Sequence, residues 1–326
     1  CMSSGWIRER RQPAIPLATD LNLFAWGGPQ ASPRTVQLLR RYDLEADFDR
    51  QPASVLTELL ESQQAQTSYE HVFTIAEIAF LAGRIAHDEN ELGDALDLYS
   101  ISVAHSYAYL LSDDFNATRN PYDPQFRQAS DLYNAALESA MRIAARRGEL
   151  RPGAAHRIVT RTREYDLHIV CRGPWKDQDV AELRFVSDYD VEGLKNHYRT
   201  YGLGVPMIGV LRPESEHQPA APYFAPGMSV PMTAFLRVLP PSRSPEEAKR
   251  QRHMCIIELH DPLSSADVSA NGRLIPLETD LSTPLAYSLN DPAFQQANTA
   301  TLGLLNPAKS QQHQGLYLLE PYDPNK

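Results

Sequence analysis

The apolar residues of this chain recur with one period before Gly148-Glu149-Leu150-Arg151-Pro152-Gly153 and with another after it. A helix stripe and a pleated strand need different periods, so the chain must pair a helical portion with a β portion. Upstream, Val55, Leu56, Leu59 and Leu60 share one helix face. Val72, Ile75, Ala76, Ala79, Ala82 and Ile85 form a second stripe, and Leu92, Ala95, Leu96, Tyr99 and Val103 a third. The longest stripe runs from Phe126 through Ala129, Leu132, Tyr133, Ala136, Leu137, Ala140 and Met141 to Ala144. Ser32-Pro33 and Asp123-Pro124 each read as an N-cap followed by proline in the first turn. Arg146 and Arg147 oppose the dipole of the last helix, and Gly148 is placed to end it.

Within the helical portion, Gly83 and Ala95 stand where two antiparallel helices would approach closely, with Tyr99 four residues further on. This spacing resembles a tetratricopeptide hairpin, without the expected tryptophan and terminal proline. From about Arg157 the period becomes two. Tyr165–Cys171, Ala181–Val186, Val205–Leu211, Ser229–Leu239, Met254–Leu259 and Gly315–Leu319 are strand candidates. Asn271-Gly272 between Val268 and Leu274 marks a hairpin turn. Pro213–Gly227 and Pro240–His253 read as surface loops or lids. The expected class is α+β: a helical-hairpin, tetratricopeptide-like array over 32–150, then a mostly antiparallel sandwich or partly open barrel over 154–326. Residues 1–31 carry no sustained period and are expected to be a linker.

Charge and cysteine usage narrow the partners. The net charge is −10, and the basic clusters at 8–11, 146–147 and 249–252 are short, so no nucleic-acid partner is expected. No stretch approaches the roughly twenty apolar residues that span a bilayer. Membrane attachment would therefore rest on Cys1. Followed by Met2-Ser3-Ser4-Gly5, Cys1 reads as the acyl-bearing first residue of a processed bacterial lipoprotein, with Arg8–Arg11 near enough to touch anionic head groups. The other readings of Cys1 are an artificial cut and an N-terminal nucleophile. Cys171 and Cys255 lie in apolar runs and read either as a periplasmic disulfide or as buried thiols.

The motifs that carry chemistry fail one by one. Gly227-Met228-Ser229-Val230-Pro231 lacks the last glycine of a nucleophile elbow. Gly202-Leu203-Gly204 lacks the remainder of a phosphate loop and reads as a tight turn at a strand edge. His253 and His260 are too far apart for one helix face, and His260-Asp261 reads as a strand end. Asp113/Asp114 and Asp188/Asp190 have no calcium-loop pattern around them. No catalytic residue, metal or cofactor is assigned.

Several runs nevertheless resemble the region upstream of the catalytic domain in bacterial lipoprotein α/β-fold hydrolases of the esterase or lipase kind. They are Asn120–Arg127 with Asp131–Asn134, Tyr201–Pro206, Asp261–Ser265, Pro276–Tyr287 and Gln314–Lys326. The resemblance spans roughly 115–326. It implies a non-catalytic accessory region on the periplasmic side of a bacterial envelope, lipid-anchored through Cys1 and joined in cis to a hydrolase domain that follows Lys326. That domain would act on a small-molecule or lipid ester. The alternative is a stand-alone envelope binding module for peptide, lipid or glycan.

Overall fold

The computed structural model describes residues 5–26, 28–48, 50–63, 68–116, 118–120, 122–212, 227–238 and 252–297. Helix α1 (Pro33–Arg41) starts where the sequence places a cap, with Thr35 N donating to Ser32 Oγ. Short α2 (Glu45–Phe48) and α3 (Pro52–Gln63) lead to α4 (Tyr69–Asp88) and α5 (Leu92–Leu111). Asn90, at φ 64°, turns the chain between α4 and α5, which makes the two antiparallel neighbours. A Cβ on Gly83 would lie 2.9 Å from the Tyr99 ring, so the close approach expected there is real. Helix α6 (Pro124–Arg146) is capped by Asp123, whose carboxylate accepts from Gln125 N at 2.9 Å, and Gly148 takes φ +73° just beyond it.

Six strands make one curled, half-barrel sheet in the order β2 (Ala155–Val159), β3 (Glu164–Arg172), β9 (Arg252–His260), β8 (Ser229–Val238), β7 (Val205–Leu211) and β4 (Val180–Phe185). The sheet is mixed: four of its pairings are antiparallel, as expected for most of it, while β3 and β9 run parallel. The chain leaves β3, builds β4, β7 and β8, and returns to fill the place beside β3. Short pairs flank the sheet: β1 (Ile7–Glu9) with β5 (Tyr189–Val191), β6 (Arg199–Thr200) with β12 (Thr279–Asp280), and β10 (Asp267–Ala270) with β11 (Arg273–Pro276). In the last, Asn271 and Gly272 both take positive φ, as the hairpin signal required. Helices α7 (Ser282–Asn290) and α8 (Pro292–Ala297) lie in the portion that the sequence reads as β-rich, where no helix is expected. The strand expected at Gly315–Leu319, most of the two segments read as long loops, and Cys1 lie outside the described residues.

The linker expected over 1–31 is corrected for its described part. Trp6 is buried with Ala286, Leu289 and Phe294, and a Cβ on Gly193 would fall 2.3 Å from its ring. Leu17, Leu21 and Leu23 enter the main core. Arg8 bonds Asp190 and Glu192, and Arg10 bonds Asp190 at 2.5 Å, so these two cations are neutralised within the protein. Sequence periodicity missed this arm because its strand is three residues long and its partner lies some 180 residues away in the chain.

Secondary structure changes at 148–153, but the core does not divide there. One apolar cluster runs from Leu17 through the helices to Leu277. Leu96 of α5 and Leu137, Met141 and Ala144 of α6 face Leu167, Leu236 and Ile257 of the sheet. Polar ties reinforce the seam. The carbonyl end of α5 receives Arg119 Nη1 at Tyr109 O (2.8 Å), Asn271 Nδ2 at Leu111 O (3.3 Å) and Arg273 Nη1 at Leu110 O (3.4 Å). Cations there offset the negative end of the helix dipole. Cys171 and Cys255 are free thiols, and burial pushes them up to about 12 and about 11, so both are poor nucleophiles near neutral pH.

Candidate functional site

Three of the runs singled out in the sequence meet at one place. Asn134 of α6 donates from Nδ2 to Gly202 O (3.1 Å) and accepts from Gly204 N at Oδ1 (2.7 Å). The turn it grips packs against backbone 276–278, since a Cβ on Gly202 would lie 2.3 Å from Pro276 O. Leu203 N donates to Pro276 O, Glu278 N to Leu203 O (both 2.9 Å), and Gly202 N to Glu278 Oε2 (2.8 Å). Gly204, at φ +109°, brings the chain so close to β8 that a Cβ would sit 2.7 Å from Thr233. Both glycines are needed for the backbone to approach its neighbours. Arg127, in the first turn of α6, lies 4.2 Å over the Tyr201 ring.

This junction forms one wall of a cavity of about 140 Å³. Around it stand Arg10, Asn134, Glu138, Ser187, Arg199 and Glu278. Ser187 Oγ donates to Glu138 Oε1 at 2.5 Å, and Arg142 bridges Glu138 and Asp188, both at 2.7 Å. Burial pushes the Glu138 carboxyl above its ordinary range, against the pull of Arg142 and Ser187. Burial likewise raises Glu278 to about 6, opposed by the Gly202 N–H and Arg127. Asp280 is engaged in starting α7, accepting from Ser282 N, Thr283 N and Thr283 Oγ1 at 2.8–2.9 Å, and it pairs with Arg199 at 2.6 Å. The site therefore holds two reluctant carboxyls among arginines that already have partners. Glu278 can take up or release a proton near pH 6. Ser187 Oγ does face a carboxylate, Glu138, but Arg142 Nη2 donates to the same Oγ at 2.8 Å and occupies the lone pair that nucleophilic attack would need.

A test of the junction follows from Glu278. Its folded pKa lies above the ordinary carboxylate value, so below about pH 4.5 both states are protonated and the group costs nothing. As pH rises toward 6 the unfolded chain ionises first and stability falls, with a full penalty of about 1–2 kcal/mol above that window. Glu278→Gln keeps an acceptor for Gly202 N. It is expected to raise Tm at pH 7.5 by roughly 2–4 °C and to leave it unchanged at pH 4. A lower Tm at pH 7.5 would mean that the charged form is the one the junction needs.

Other candidates have structural duties. Ser229 Oγ bonds Pro284 O and Ser288 Oγ, both at 2.8 Å. Asp261 closes its own turn on Leu263 N and Ser264 Oγ, while His260 Nε2 lies 3.4 Å from Glu258. Asp188 and Asp190 hold Arg142, Arg8 and Arg10. His253 stacks on Tyr165. Besides Ser187 on Glu138, sequence reasoning passed over a second hydroxyl–base contact, His71 Nε2 to Ser62 Oγ at 3.0 Å. The ring's partners are Ser62, the Leu59 carbonyl and the Tyr42 ring, none a carboxylate, and burial lowers its pKa. Glu138 was also missed: its spacing to Arg142 advertises only a helix-surface pair, and Ser187 is supplied by tertiary structure. Among the described residues no group of His, Cys, Asp and Glu could hold a metal ion. No family model matches the chain, and neither a curated protein nor a solved structure matches it.

Proposed function

We propose that the chain is the non-catalytic accessory region of a membrane-anchored α/β-hydrolase of the serine esterase or lipase kind. In this reading Cys1 carries the lipid anchor on the periplasmic face of a bacterial envelope, and the region positions a hydrolase domain following in cis and shapes access of a small-molecule or lipid ester to it. The observation that carries the reading is the convergence of Asp131–Asn134, Tyr201–Pro206 and Pro276–Tyr287, runs that resemble this region of such enzymes, on one main-chain-bonded junction. Side chains spent on holding a junction of backbone bonds serve a scaffold rather than a reaction. The tetratricopeptide-like hairpin of α4 and α5 belongs to the same scaffold. The second reading, a stand-alone module for peptide, lipid or glycan, has the cavity of about 140 Å³ in its favour, though that volume would hold only part of such a ligand.

Two preparations decide between them: residues 1–326, and the same polypeptide continued past Lys326 in its natural reading frame. The first is expected to leave short-chain esters intact, and the second to hydrolyse them until treated with a serine-reactive phosphonate. Mass spectrometry of the native protein is expected to find Cys1 acylated. Ester turnover by 1–326 that disappears on replacing one of its own Ser or Cys residues would sink the proposal. So would a reading frame without a Gly-x-Ser-x-Gly segment.

A further inference from the structure

The turn at Leu21–Trp26 sends Leu21 and Leu23 inward and Phe24 and Trp26 outward. Leu17, Leu21 and Leu23 are buried in the core, while Phe24 is 57% exposed and Trp26 fully so. The turn is bonded from several sides. Leu21 N donates to Leu17 O and Leu23 N to Ala18 O (both 3.0 Å), Ala25 N to Asn22 O (2.9 Å), and Gln30 N to Leu21 O (2.8 Å). Asn22, at φ 45°, donates its side-chain amide to Gln30 Oε1 at 2.9 Å. Two aromatic side chains are thus held outward on a fixed base. The sequence from Leu21 to Pro33 contains no charged residue, in a chain where 22% of residues are charged.

We propose that this turn is a membrane-interface contact, with Phe24 and Trp26 entering the head-group region of a zwitterionic bilayer. Aromatic side chains favour that zone, and the indole suits it because its ring is apolar while its N–H stays hydrated. Electrostatic attraction to anionic lipid has little support. Arg8 and Arg10 are paired within the fold, and the chain carries a net charge of −10. A protein partner is the weaker match in size. Two aromatic side chains bury roughly 300–500 Å², against about 800 Å² per partner in a standard interface. The inference stands without acylation of Cys1, and its test removes that residue. Its failure is therefore distinct from failure of the hydrolase reading.

The Cys1→Ser chain is mixed with phosphatidylcholine vesicles and separated by flotation, with tryptophan emission and quenching by brominated lipid read in parallel. The expected result is co-flotation with a blue-shifted, quenched emission. Partition should fall about tenfold or more in a Phe24→Ser/Trp26→Ser variant that melts normally. Tyr122→Ser, which removes an exposed aromatic elsewhere, should partition like the parent. Three results overturn the proposal: no flotation of the parent, flotation unaffected by the double variant, or flotation only with anionic lipid. A concentration-dependent dimer lost in the double variant, without vesicle binding, would also overturn it and assign the turn to a second copy of the chain.

Discussion

Tyr133→Phe is expected to destabilise the protein by about 3 kcal/mol, because it orphans two buried main-chain groups at once. Strand β7 pairs with β8 only as far as Ala234. Beyond that point the phenol of Tyr133 takes the missing neighbour's place, donating to Leu236 O at 2.8 Å and accepting from Leu236 N at 3.0 Å. Burial holds the phenol well above its ordinary pKa, so it stays neutral and able to donate. The ring contacts with Phe235 and Tyr107 survive in the variant, which isolates the hydroxyl. Urea unfolding followed by far-ultraviolet circular dichroism and by fluorescence should show one shifted transition in both signals, since α6 and the sheet share a core. A loss below about 1 kcal/mol would mean that water replaces the hydroxyl. Separate helical and β transitions would mean that 32–150 and 154–326 fold apart, as the change of period alone suggests.

The second large effect is expected at Asp97, which fastens α5 to the turn between β2 and β3. Its carboxylate accepts from Thr160 Oγ1 at both oxygens (2.9 Å), from Tyr165 OH (3.0 Å) and from Thr162 Oγ1, while Arg163 Nη1 reaches its carbonyl at 3.2 Å. The residue is 6% exposed. Asp97→Ala strands several hydroxyl groups and should cost about 3–4 kcal/mol, with faster amide exchange across residues 155–168. Asp97→Asn should recover most of that loss, because each facing hydroxyl can rotate to accept as well as donate. If the Asn variant proves as unstable as the Ala variant, the charge rather than the hydrogen-bond geometry holds the turn.

The sequence alone determined what depends on neighbouring residues. Ser32-Pro33 and Asp123-Pro124 begin helices, Gly148 ends one, and Asn271-Gly272 turns a hairpin. Each rests on the conformational preference or capping chemistry of a few adjacent residues, so no distant partner is needed to read it. The change of period at 148–153 likewise marks where α6 gives way to β2, although β1 precedes it and α7 and α8 follow it. Only the tertiary structure decided the parallel seating of β9 beside β3, the pairing of β1 with β5, and the packing of Trp6 against Gly193 and α7. It also decided that Asn134, Gly202, Gly204 and Glu278 meet, and that Ser187 closes on Glu138. These choices turn on which distant surfaces bury the most apolar area and satisfy the most backbone groups together, and that comparison is made only by the whole fold.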